Sequence, residues 1–120
     1  MMDKDKVSKT SDIKIRVGLN EEKIPVQLHW EADDDMGSPG PKECKAMILA
    51  LFDEETKDTL RTDLWTKDMQ VVEMDRFFFQ TLRAMADTYY KATQNAQLAS
   101  AMQQFVQFFG EQTEIIPKNK

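Results

Sequence analysis

The hydrophobic pattern changes its period once along the chain, near Thr66, and this change constrains the fold more than any other feature. Before Thr66, apolar and polar residues alternate, as in Ile13-Lys14-Ile15-Arg16-Val17. Such alternation is typical of β-strands with one buried face. After Thr66, apolar residues recur at steps of three and four, which is typical of amphipathic helices. Strands followed by helices predict an α+β fold.

Four strands are predicted in the first part of the chain. They span about residues 12–17, 26–31, 44–52 and 60–65. The first two are joined by a short turn and are expected to form a hairpin. The third is apolar on both alternating faces, which is typical of a strand in the centre of a sheet. A Gly- and Pro-rich loop is expected over 31–43. The sequence therefore predicts one four-stranded antiparallel sheet.

Two amphipathic helices follow the strands. Asp68 is a candidate N-cap of the first helix. Its main apolar stripe is predicted to consist of Val71, Met74, Phe78, Leu82, Met85 and Tyr89, widened by Val72, Phe77, Phe79 and Ala86. The second helix is expected from about Ala96 to Phe109, with Gly110 as its C-cap. We expect a disordered N-terminal tail over 1–9, a single domain over 10–110 and a C-terminal tail over 111–120.

Residues suited to catalysis are few. The chain has one cysteine, Cys44, and one histidine, His29, which excludes a disulfide framework, a multi-cysteine zinc site and any site with two imidazoles. His29 is expected on the outward face of its strand, together with Gln27 and Glu31, and no recognisable nucleophile accompanies it. Cys44 stands beside Lys42 and Lys45, whose positive charges favour a lower thiol pKa. An unreactive thiol and a surface histidine are the simpler interpretations, so we expect no enzyme and no cofactor.

An acidic run, Asp33 to Asp35, invites comparison with calcium-binding loops. An EF-hand loop needs oxygen ligands at positions 1, 3 and 5, glycine at position 6 and glutamate at position 12. Neither a loop starting at Asp33 nor one starting at Glu31 satisfies this pattern. We therefore expect no calcium or other metal site here.

Charge and hydropathy limit the classes of partner. The formal net charge is −5, which argues against nucleic acid or anionic lipid as the main partner. The longest apolar run, Ala46 to Phe52, is far shorter than a membrane-spanning helix, and no targeting segment is visible. A cytoplasmic protein without membrane insertion is expected.

The aromatic content of the two helices is high. Six of the seven phenylalanines lie on them, which is more apolar surface than packing against one face of a sheet requires. Surplus apolar surface of this kind marks subunit or partner interfaces. Phe77, Tyr90 and Phe108 lie outside the main stripes and are the candidate interface residues. A homo-oligomer, most simply a dimer, is expected, and retention of this surface for a different protein is the alternative.

Several segments resemble the gliding motility GldC family of gliding bacteria. In the first half they are Thr10–Ile15, Val17–Glu21, Ile24-Pro25 and Trp30–Asp34. In the second half they are Thr59–Met69, Glu73-Met74, Phe77-Phe78, Gln80–Leu82 and Met85–Thr88. The stretch Trp65-Thr66-Lys67-Asp68-Met69 is the most specific of them. The resemblance extends over about residues 10–110.

The resemblance implies a small accessory protein of the gliding machinery, associated with type IX secretion, without catalytic residues, that binds other gliding-machinery proteins. The order of strands and helices is also similar in outline to the export chaperone SecB. That similarity supports an alternative function, a holdase chaperone that binds unfolded or extended polypeptides on its Met- and Phe-rich surface. Topology alone does not decide between the two.

Overall fold

The computed structural model describes residues 5–33 and 40–117. The chain divides into two compact units, residues 1–69 and 70–120. The first unit contains the strands β1 (Ile13–Leu19), β2 (Pro25–Ala32), β3 (Lys42–Cys44), β4 (Ala46–Phe52) and β5 (Thr59–Trp65). The second contains the helices α1 (Val71–Thr93) and α2 (Ala96–Gln112). The α+β class is confirmed. Whether residues 10–110 act as one domain stays a prediction.

The first sheet is antiparallel, with strand order β1-β2-β3. Ile15 pairs with Trp30, and Val17 pairs with Leu28, which is only 2% exposed. Because directly opposed residues share a face of the sheet, these apolar pairs form one face. Arg16, opposite His29, lies on the other. The predicted hairpin and its alternation are confirmed.

The predicted four-stranded sheet is wrong, because the third strand is divided at Lys45. The chain bends there between β3, which pairs with β2, and β4, which pairs with β5. The result is a three-stranded and a two-stranded sheet. β4 is therefore not a central strand, and Leu51 and Phe52 are 56% and 68% exposed. The expected loop over 31–43 is also shorter, since β2 continues to Ala32 and β3 begins at Lys42; residues 34–39 lie outside the described residues.

Thr66 connects three segments of the first unit. Its backbone N–H donates to the carbonyl of Lys45 at the bend (2.8 Å). The next N–H, of Lys67, donates to the carbonyl of Pro25 at the start of β2 (2.9 Å). The Thr66 hydroxyl donates to the Asp68 carboxylate (2.6 Å) and is only 3% exposed as a residue. The end of β5 is thereby fixed against both sheets.

The first helix begins later than predicted. Its N-cap is Gln70, whose backbone N–H donates to the side chain of Glu73 (3.0 Å). The glutamate thus satisfies a backbone donor at the helix start. Asp68 does not cap the helix, because its carboxylate accepts the hydrogen bond from Thr66 instead.

The second helix ends later than predicted. Asn95 is its N-cap and accepts a hydrogen bond from the N–H of Leu98 (3.0 Å), whereas its C-cap is Thr113. Gly110 is therefore not the C-cap but a buried residue of the last turn. A Cβ at Gly110 would lie 2.6 Å from Cδ1 of Ile116 and 2.7 Å from Cε1 of Phe79. The glycine is needed because other side chains approach its Cα closely.

The two helices form an antiparallel hairpin whose seam is built largely from small residues. The buried residues are Phe79 and Ala86 of α1 and Ala99, Val106 and Gly110 of α2.

The buried face of α1 differs from the predicted one. Phe79 and Ala86 were predicted only to widen the main apolar stripe of α1. Three members of its main stripe are exposed instead: Val71 (79%), Phe78 (40%) and Met85 (53%). The small residues Ala86, Ala99 and Gly110 allow α2 to pack closely against the side of α1 on which Ala86 lies. The buried face of α1 is therefore rotated by about one residue, or 100°, from the predicted stripe.

Candidate functional site

The helical hairpin carries two adjoining apolar grooves beside its seam. The larger, which we call the α1 groove, has a volume of about 740 Å³. It is lined by Phe77, Gln80, Thr81, Ala84, Met85, Thr88, Tyr89, Ala92 and Met102. None of these side chains is charged, although 31% of all residues in the chain are. Depletion of charge distinguishes the cores of protein interfaces from ordinary surface.

The shape of the α1 groove follows from the spacing of its residues. Phe77, Thr81, Ala84 and Thr88 succeed one another at steps of four, three and four, which places them on one face of α1. The small side chain of Ala84 lies between the larger ones of Phe77 and Tyr89, and the small side chain of Ala92 follows Tyr89. From Phe77 to Ala92 this face extends about 22 Å along the helix at 1.5 Å per residue. The α1 groove thus has the length of about four helical turns.

The second depression, which we call the inter-helix groove, has a volume of about 450 Å³. It is lined by Leu82, Met85, Tyr89, Leu98, Ala101, Met102, Phe105 and Val106. Met85, Tyr89 and Met102 border both grooves, so the two form a continuous uncharged surface. Methionine side chains are flexible and polarizable and adapt to differently shaped partners.

None of the charged side chains of α1 is among the residues that line the two grooves. Asp87 and Lys91 form an ion pair one turn apart, with Oδ2 and Nζ 3.0 Å from each other. The guanidinium of Arg83 lies over the ring of Phe79, 5.3 Å from its centroid. These groups pair with neighbours in their own helix, which leaves the grooves uncharged from end to end.

The three predicted interface residues lie at different places. Phe77 lines the α1 groove. Phe108 is 56% exposed on α2, and Tyr90 is 41% exposed but lines neither groove. Their role in an interface stays a prediction. The sequence reasoning did not single out Ala84 and Thr88, because it searched for surplus aromatic residues. Ala84 and Thr88 could have been found from the absence of charged residues at the positions that line the α1 groove.

His29 lies on the charged face of the first sheet, as its alternation predicted. Its Nε2 is 3.3 Å from Oε1 of Glu43, and Arg16 is its partner in the neighbouring strand. A small cavity of about 40 Å³ adjoins it, which has room for about one water molecule. The environment of His29 is that of a polar sheet surface.

Cys44 lies at the end of β3, half-buried. Burial raises the pKa of its thiol, and the opposing effect of Lys42 is smaller. The neighbouring lysines therefore do not lower this pKa, because desolvation disfavours the thiolate more than Lys42 stabilises it. Its Sγ is 3.9 Å from the carbonyl oxygen of Lys42.

No group of three or more His, Cys, Asp or Glu side chains suited to a metal ion occurs within residues 5–33 and 40–117. The acidic run Asp33 to Asp35 was predicted to bind no metal ion, but Asp34 and Asp35 lie outside these described residues. That prediction therefore stays untested. In the same described segments, neither helix is long and apolar enough to span a lipid bilayer.

Comparison with known families supplies the context for these grooves. The family of gliding motility-associated proteins described as GldC-like matches residues 25–115. The match extends from β2 to beyond the end of α2 and includes both grooves. The chain belongs to the GldC-like family. The predicted family resemblance is confirmed, and the GldC-like chain is thereby a gliding motility-associated protein.

No curated protein and no solved structure matches this GldC-like chain. The predicted SecB-like outline accordingly has no support from a structural match. The structure also has two sheets, and not the single four-stranded sheet that was predicted together with this outline.

Proposed function

We propose that this GldC-like chain is a non-enzymatic accessory protein of the gliding and type IX secretion machinery, which acts in the cytoplasm by binding another gliding-machinery protein. The observation that carries this proposal is the α1 groove. Its lining is uncharged and spans about four helical turns, whereas His29 and Cys44 occupy ordinary structural environments.

The groove favours a particular kind of partner. Small residues, Ala84 and Ala92, occupy its length, so a partner backbone can approach closely there. Its extent suits an amphipathic helix that contributes apolar side chains at i, i+3, i+4 and i+7. Because the lining offers no ion-pair partner, charges on the contacting face of that helix would be buried without compensation. The proposed occupant is therefore an amphipathic helix with an uncharged contact face.

The test is a crosslinking pull-down from gliding cells combined with a motility assay. Ala84→Glu places a charge in the middle of the α1 groove. Ala96→Glu makes the same change at the exposed first residue of α2, outside the groove, and is the matched control. We expect the wild-type chain and the control to capture the same gliding component and to support motility. Ala84→Glu should lose both functions while keeping its helical circular dichroism.

Capture of that component by Ala84→Glu at the wild-type level would contradict the proposal. So would the same loss in both variants, since the effect would then not be specific to the groove. The measurement thus tests the groove and not merely the presence of the chain.

A holdase chaperone is the second candidate function. Met85 and Met102 border both grooves, and adaptable methionines suit a surface that binds many sequences. An aggregation assay with an unrelated unfolded protein separates the two functions. Suppression at near-stoichiometric amounts, abolished by Ala84→Glu, would favour the holdase. Absence of suppression together with selective capture of one gliding component would favour the accessory role.

A further inference from the structure

A second apolar feature lies on α2, along the inter-helix groove and apart from the buried residues of the seam. Leu98, Ala101, Phe105 and Phe108 follow one another at steps of three, four and three, and we call them the α2 stripe. All four are exposed, with Leu98, Phe105 and Phe108 at 50%, 52% and 56%. This spacing is that of the a and d positions of a coiled coil. In a coiled coil such a stripe is covered by a second helix.

The distribution of charge indicates which helix can cover the α2 stripe. From Ala92 to Gly110 no residue is charged, whereas the whole chain has 31% charged residues and a net charge of −5. Contact between two copies of an acidic chain generally brings like charges together, which is unfavourable. Along α2 from Ala96 to Gly110 this repulsion is absent. A second copy can therefore approach this surface without an electrostatic cost that most other surfaces would impose.

The order of large and small side chains in the α2 stripe also suits its own copy. In an antiparallel pair with a two-fold axis near the middle of α2, Phe105 faces Ala101 of the second copy. In the same register, Leu98 faces Phe108. The two-fold axis repeats the contact between Phe105 and Ala101, because each residue pair of an isologous interface occurs twice. A large side chain therefore packs against a small one on both sides of the axis. Interdigitation of large and small residues is the packing that close-packed cores use.

We propose that the chain forms a two-fold homodimer in which the α2 stripes of two copies pack against each other in antiparallel orientation. The α2 stripe shares no residue with the lining of the α1 groove, on which the proposed accessory function rests. None of the residues that carry that function, Phe77, Ala84 and Thr88 among them, belongs to the stripe. The inter-helix groove shares Leu98, Ala101 and Phe105 with the stripe and is covered in the dimer.

A charge exchange at Gln104 tests the proposed register. Gln104 is exposed beside the stripe, and the two-fold axis brings it close to Gln104 of the second copy. Gln104→Glu or Gln104→Lys alone places two like charges across the axis. An equimolar mixture of the two variants places opposite charges there. Gln107→Glu and Gln107→Lys, on the side of α2 away from the stripe, are the matched controls.

Sedimentation equilibrium at micromolar concentrations measures the mass of each sample. We expect a dimer for the wild-type chain and the Gln107 controls. Each Gln104 variant should bind itself about tenfold more weakly or worse, and the mixture should restore the dimer. A monomeric wild-type chain, unaffected Gln104 variants or a mixture without recovery would overturn the proposal. Because Gln104 is exposed, circular dichroism should show an unchanged fold.

A second substitution and a second assay complete the test. Phe108→Asp should also yield a monomer with retained helical dichroism, and a dimer that survives it would contradict the α2 stripe as the interface. Ala84→Glu should remain a dimer. If the Gln104 variants lose the dimer but still capture the gliding component, the two functions are separate. If Ala84→Glu captures that component, the accessory proposal fails while the dimer is unaffected.

Discussion

The ring of Phe79 packs against the Cα of Gly110, which joins the first half of α1 to the last turn of α2. A Cβ at residue 110 would lie 2.7 Å from Cε1 of that ring. Ile116 approaches the same position, with its Cδ1 2.6 Å from that Cβ, and its backbone N–H donates to the carbonyl of Gly110 (3.0 Å). This close contact sets how near the two helices approach at this end of the hairpin, and hence how the inter-helix groove is formed.

Gly110→Ala is expected to destabilise the helical hairpin. The added methyl group must displace an aromatic ring and a branched side chain in a packed seam, which typically costs about 1–3 kcal/mol. Because alanine has a higher helix propensity than glycine, the substitution also stabilises the helix by up to about 1 kcal/mol. Urea unfolding followed by circular dichroism should therefore show a net loss of about 1–2 kcal/mol. Ser100→Ala, at an exposed position of α2, should change stability little, and equal effects of the two substitutions would contradict the assigned packing.

Thr66→Val should destabilise the first unit. The hydroxyl of Thr66 is buried and donates to the Asp68 carboxylate at 2.6 Å. Valine keeps the shape but loses this bond, at a cost of about 1–2 kcal/mol. Thr62→Val, at an exposed position of β5, is the control and should stay within about 0.5 kcal/mol of the wild type.

The same substitution should change the ionisation of Asp68. The hydrogen bond from Thr66 is the main cause that lowers the pKa of Asp68, and Lys45 contributes less. Removal of the hydroxyl should move this pKa upward, as an NMR titration of the Asp68 carboxyl carbon would show. An unchanged pKa in Thr66→Val would contradict the role given to this bond.

The carboxylate of Asp53 should make the stability of the β4–β5 hairpin depend on pH below about 4. Its carboxylate accepts the backbone N–H groups of Thr56 (2.8 Å) and Glu55 (3.1 Å), and the bond from Thr56 is the main cause that lowers its pKa. A lowered pKa in the folded state adds stability above the unfolded value of about 4, and this stability is lost as the pH falls through the folded value.

Asp53→Asn cannot ionise and should abolish this dependence. As the pH falls below about 4, the free energy of unfolding should fall less steeply for the variant than for the wild type. Glu54→Gln, which removes a carboxylate from the same turn, is the matched control. Parallel pH profiles of the wild type and Asp53→Asn, measured by urea unfolding, would show that the turn does not favour the ionised carboxylate.

Gln94→Gly should stabilise the connection between the helices. Gln94 has a φ of 59°, in the left-handed region that favours glycine, and is the C-cap of α1. Relief of this conformation should raise the free energy of unfolding by about 0.5–1 kcal/mol. The same substitution at Gln103, an exposed residue in the middle of α2, should instead lower it by about 1 kcal/mol. Effects of the same sign at both positions would be inconsistent with the left-handed cap.

Both predicted helices and all four predicted strands have counterparts in the structure, because each depends on local periodicity. Ile15 opposite Trp30 and the charged residues around His29 lie on the faces that alternation assigned them. The helix starts were less predictable. Asp68 is a good capping residue by type, but the nearby Thr66 hydroxyl binds its carboxylate, and Gln70 with Glu73 begins the helix instead.

The sequence by itself determined the α+β class, the change of period at Thr66, the family and the absence of charged residues from Ala92 to Gly110. Only the tertiary structure decided that the third strand bends at Lys45 and that Phe79, not Phe78, is buried in the seam. The contact between the ring of Phe79 and Gly110 was likewise decided by the tertiary structure. Periodicity is a property of neighbouring residues and can be read along the chain. Which turn of one helix meets which turn of another depends on contacts between residues some thirty positions apart, such as Phe79 and Gly110, and the grooves exist only once those contacts have formed.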